Sequence, residues 1–110
     1  MALHVAAGLV LAIVYAIYQA THWNRVAPWR SRPDYALGLI AAVTLAVTDL
    51  TGLALGWEWW VARLDGTGIV RYPVALSAIH TLGTMLVLAF ASGHLAAVLA
   101  RDRSGRTISP

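Results

Sequence analysis

At 110 residues, with 59% hydrophobic and only 12% charged side chains, the chain holds half the charge of an ordinary soluble domain, where roughly 25% is usual. Its charges gather in short patches between long uncharged runs, which excludes a soluble fold with wet helix faces and points to a membrane protein. The absence of cysteine excludes a disulfide framework or thiolate metal site, and the net charge of +3 comes from short loops, so no nucleic-acid partner is expected.

A bilayer core about 30 Å thick needs roughly 20 apolar residues in a helix. The chain offers three such runs, and they lack the alternation of barrel strands, so helices are expected. The first predicted span covers 2–22. No basic residue precedes it and its positive charge follows, which is the reverse of a cleaved signal peptide. A predicted loop at 23–34 holds Arg25, Arg30 and Arg32 against Asp34. The second span, 35–57, follows Pro33 and carries one acid, Asp49, near its middle. The next loop, 58–72, balances Arg63 and Arg71 against Glu58 and Asp65, and is expected to lie on the headgroups. Its DGTG at 65–68 is a turn signal. The third span, 73–100, begins at Pro73 and carries no formal charge. The tail, 101–110, holds Arg101, Arg103 and Arg106 against Asp102.

Cationic loops stay cytoplasmic, so the first loop and the tail belong inside and the second loop outside. The expected fold is therefore an all-α integral membrane protein with three transmembrane helices, N-out and C-in, forming a single domain over 1–110. Trp23 and Trp29 would mark one interface, and Trp57, Trp59, Trp60 and Tyr72 the other.

Polar and small residues within the spans recur at steps of four and three, drawing one stripe along each helix. The first seam is His4, Gly8, Leu11, Tyr15, Tyr18 and His22. The second is Gly38, Ala42, Leu45, Asp49, Gly52 and Gly56, with a GxxxG step at its end. The third is Ser77, His80, Thr84, Val87, Ala91 and His94. Such residues mark helix contacts in lipid, because they allow close approach and hydrogen bonding. Asp49 lies eight residues from Trp57 and His80 seven from Pro73, which places both roughly 10–12 Å below the outer boundary. The two are expected to hydrogen-bond across the second and third helices. An ionisable pair at that depth has two readings, polar glue between helices or a proton or water pathway.

His80 and His94 stand fourteen residues apart, a spacing that resembles the two haem-ligating histidines on one helix of b-type cytochromes. A haem of that kind needs a second axial histidine at matching depth. Only His22 is expected near His94, with His4 well above His80, so no cofactor and no metal are expected. The sequence also holds no P-loop, GxSxG or HExxH, and the loops are too short for a catalytic domain, so no enzyme is expected.

In size, three-span plan and short basic tail (RDRSGRTISP), the chain resembles the three-helix (class I) holins of bacteriophages. That resemblance implies N-out, C-in insertion in the bacterial cytoplasmic membrane, self-association through helix faces into a homo-oligomer, and timed lesions that depolarise the membrane. The chain lacks the closely spaced starting methionines of some members, since its only other methionine is Met85. The competing reading is a non-catalytic accessory subunit of a larger membrane complex, with the seams turned toward partner transmembrane helices. The lipid bilayer is a partner in both.

Overall fold

A computed structural model describes residues 1–107, with side chains through Gly105. Within them the chain forms three long helices and one short one: α1 (Ala2–Val26), the 3-10 turn α2 (Ala27–Trp29), α3 (Pro33–Leu64) and α4 (Val74–Thr107). Pro33 opens α3 at a position where its missing N–H costs nothing. No strand occurs among the described residues. The three long helices are each long and apolar enough to cross a membrane. The structure therefore has the all-helical, three-span plan expected from the sequence.

The helices outrun the predicted spans. Tryptophan and arginine at 57–64 were expected to leave the helix for the headgroups, yet α3 continues seven residues past Trp57 to Leu64. Likewise α4 continues past Ala100 to Thr107, taking up much of the predicted tail. The physical reason is that hydropathy marks lipid thickness, not the end of hydrogen bonding. At 1.5 Å per residue α3 is about 48 Å long, well beyond a core of about 30 Å. The link from α3 to α4 is correspondingly short. It starts at Asp65, whose Oδ1 accepts from the Thr67 N–H (3.0 Å) and hydroxyl (2.8 Å), while Gly66 and Gly68 take φ of 74° and 63°. These bonds hold the Asp65 carboxyl below its usual range.

α3 and α4 pack closely as an antiparallel hairpin, and α1 lies against it with sparser contact. The interior is made of small and polar side chains: Thr48, Thr51 and Ala62 are buried, as is Gly83, and no large side chain is fully buried. Leucine, isoleucine and valine face outward along all three helices instead, Leu3 at 82% exposure and Val74 at 86%. This distribution is inverted relative to a soluble bundle. It suits a solvent as apolar as the side chains themselves, where small residues and hydrogen bonds do the packing.

Candidate functional site

Two histidines of α4 each enter a notch in α3, and the two notches are built alike. His80 Nδ1 lies 2.9 Å from the carbonyl oxygen of Thr48, and its ring sits over Gly52. His94 Nδ1 lies 2.8 Å from the carbonyl oxygen of Asp34, and its ring sits over Gly38. A Cβ on either glycine would stand 2.8 Å from the imidazole Cε1, closer than real contacts allow. In an α-helix the carbonyl of residue i−4 lies in the same row as residue i, so a side chain there would cover it. Glycine uncovers that carbonyl, and histidine reaches it. Gly38 and Gly52 are fourteen residues apart, as are His80 and His94, so one antiparallel register sets both layers.

Between the layers the relation is reversed. Gly83 of α4 receives Thr48 of α3, whose hydroxyl would clash with any Cβ there. Thr48 bonds back to the Thr44 carbonyl at 2.8 Å, and Thr51 to Val47 and Thr48 at 2.9 and 3.0 Å. This is the usual way a hydroxyl is satisfied in lipid. Thr51 Oγ1 also stands 3.3 Å from His80 Nδ1.

Because a carbonyl only accepts, Nδ1 carries the proton in both histidines and Nε2 holds a free lone pair. Neither Nε2 makes a hydrogen bond among the described residues. No buried side-chain nitrogen or oxygen there lacks a partner, so neither Nε2 is sealed from its surroundings.

The expected hydrogen bond from Asp49 to His80 is replaced by the one to Thr48. Asp49 lies one residue further along α3, about 100° around the helix, which turns it toward α1. There it lines a cavity of about 640 Å³ between the three long helices and a groove of about 610 Å³ between α1 and α3. It interacts electrostatically with His80 and Tyr15, and makes no hydrogen bond among the described residues. The larger cavity is also lined by His4, Gly8, Gly52, Gly56, Ser77, His80 and Thr84.

α1 supplies His4, whose ring centre stands 6.2 Å from that of His80 with the planes at 82°. The sequence placed His4 well above His80, taking the first and third spans to begin at one depth, whereas the start of α1 lies beside the second turn of α4. His22 was expected opposite His94. Its ring instead stacks on Tyr18 (5.1 Å), with Tyr18 Oη and His22 Nδ1 3.3 Å apart. Tyr15 donates to the Ala42 carbonyl at 3.4 Å and ties α1 to α3. Gly56 meets Val5 of α1 at an ordinary 3.7 Å, so only the first glycine of the GxxxG step is sterically required.

At the far end of the hairpin, Arg101 pairs with Asp34, the residue whose carbonyl receives His94. That contact brings the start of α3 and the end of α4 together. Arg25, Arg30, Arg32, Arg101 and Arg103 consequently share one end of the bundle. Arg32 also lies over the Trp29 ring at 4.2 Å. The Arg106 side chain lies outside the described residues. Gly83 and the Gly38–His94 layer were not singled out as contacts from sequence. The matching fourteen-residue intervals were the signal that would have found the second.

Comparison with family models, with curated proteins and with solved structures gives no match to the chain.

Proposed function

We propose that the chain is a multi-pass helical subunit of a larger assembly in a bacterial cytoplasmic membrane, inserted N-out and C-in. One observation carries this reading: the two histidines of the third seam are already engaged within one chain. His80 and His94 find their partners across α3 and α4, and the neighbouring Thr48 and Thr51 bond back to carbonyls within α3. Such a hairpin has both α4 histidines committed to α3, and its outward face is rich in exposed aliphatic side chains. A stable, lipid-embedded hairpin with a loosely held α1 suits attachment to further transmembrane helices. The orientation rests on the arginines gathered at one end, which belong on the cytoplasmic side.

A second reading is the holin-like one, in which the chain self-associates and permeabilises the membrane. Asp49, Ser77 and Thr84 favour it, because they face a cavity and would form a wettable wall between copies.

Inducible expression in a bacterial host with a potential-sensitive dye separates the two. A subunit is tolerated at high membrane levels, and the potential holds in wild type and Asp49→Asn alike. Abrupt depolarisation by wild type, lost in Asp49→Asn, would overturn the subunit reading. Because the chain has no cysteine, single replacements map its orientation. Ile69→Cys should react with an impermeant maleimide in intact cells, and Ser31→Cys only after permeabilisation. The opposite pattern would refute N-out, C-in insertion.

A further inference from the structure

We propose that His4 and His80 are the two axial ligands of a haem held in the cavity between α1, α3 and α4. This runs against the sequence-based expectation of no cofactor, and the geometry of the two rings is what changes it. With metal–nitrogen bonds of about 2.0–2.1 Å and about 1.1 Å from nitrogen to ring centre, two imidazoles across one ion stand about 6.3 Å apart. His4 and His80 stand 6.2 Å apart.

His80 is also prepared as a ligand. Its Nδ1–H is fixed on the Thr48 carbonyl, which assigns the proton, aims the ring and leaves Nε2 as the donor atom. Metal-bound histidines nearly always have such an outer partner.

Two histidines alone hold a bare ion poorly, since metal sites in proteins ordinarily take at least three side chains. Among the described residues no group of three or more His, Cys, Asp or Glu is placed to hold an ion. The missing donors must come from the ligand, and a tetrapyrrole supplies four nitrogens in the plane between two axial imidazoles. The space fits. At about 640 Å³ the cavity falls within the roughly 300–1,000 Å³ of small-molecule and cofactor sites. Gly8, with nothing within 4 Å of its Cβ position, leaves its wall open to a flat group, while Leu9, Leu53 and Leu88 make that wall apolar. The His94 layer has the same Nδ1 bond but no histidine facing it.

The inference deepens the subunit reading by naming a group that the subunit holds. Its test needs no partner protein, so failure here leaves that reading standing.

The full chain, purified without haem in a mild detergent, is titrated with haemin, and spectra are taken before and after dithionite. One equivalent should bind and give the six-coordinate, low-spin spectrum of a bis-histidine haem. His4→Ala removes an exposed side chain near the start of α1. It should convert the spectrum to a five-coordinate or high-spin form and weaken binding at least about tenfold, since losing even an outer partner costs 10–100-fold. Added imidazole should restore the low-spin spectrum in that variant. His80→Ala should do the same as His4→Ala, while His22→Ala should leave the spectrum unchanged. No low-spin haem in helical, monodisperse wild type would overturn the proposal. So would an unaltered spectrum in His4→Ala, or binding of Zn²⁺ without any binding of haemin.

Discussion

The His80 and His94 layers use one local device in two surroundings. Each has an imidazole of α4, a glycine of α3 and the carbonyl four residues before that glycine. Around His94 the device stands beside the Arg101–Asp34 pair, with Asp34 also supplying the carbonyl. Around His80 it opens onto a cavity with His4 and Asp49 on its wall. The difference teaches that the histidine–carbonyl bond by itself fixes helix register, and that what the free Nε2 does depends on the third helix. One layer clamps. The other opens onto a cavity shared with α1.

Mutations can break this comparison at graded cost. The largest effect is expected where no atom can give way, at Gly83 between the layers, buried against Thr48. Gly83→Leu should destabilise the hairpin by about 3 kcal/mol, the upper range for overpacking, in reversible unfolding from detergent micelles. A loss under about 0.5 kcal/mol would mean that α3 and α4 do not meet there.

His94→Ala comes next. Removing one hydrogen bond and the ring's packing should cost about 1–2 kcal/mol, with no effect on haemin binding. An equal loss of haemin binding would erase the distinction between the layers. Arg101→Ala should cost only about 0–1 kcal/mol, because the Arg101 side chain is 45% exposed and solvent screens the pair. It should shift local amide exchange near Asp34 more than global unfolding.

The smallest effect concerns the α3–α4 link. The Asp65 carboxyl is held below its ordinary value by the Thr67 bonds. A depressed carboxylate contributes order that is fully present above the unfolded value and is lost as pH falls through the folded one. Amide protection of Thr67 should therefore persist through neutral and mildly acidic pH, fading only below the usual carboxylate range. Asp65→Asn should flatten that profile while leaving the helices intact.

Much of this architecture could be read in the residues. The three spans followed from hydropathy, and the seam rule chose Gly52, His80, Gly38 and His94, all of which meet in the interior. Tyr15 too reaches a neighbouring helix from its seam. Periodicity assigns a face to each helix but not the sliding register between two helices, so Asp49 was matched with His80 in place of the Thr48 carbonyl. Depth counted from apolar boundaries failed for a related reason. The spans were taken to begin level with one another, but α1 begins beside the second turn of α4, so His4 proves to be level with His80. Asp49 itself is an acid on a cavity wall, near two groups it interacts with and bonded to neither.

The central claim is that the two seam histidines of α4 are satisfied inside one hairpin, histidine into glycine. A double-mutant cycle on Gly52→Ala and His80→Ala, read by unfolding in detergent, tests it most directly. A Cβ at Gly52 would stand 2.8 Å from His80 Cε1. Gly52→Ala should therefore destabilise wild type by about 1–3 kcal/mol and have little or no effect once His80 is alanine. Strictly additive effects would contradict the account, because the two residues would then not be in contact.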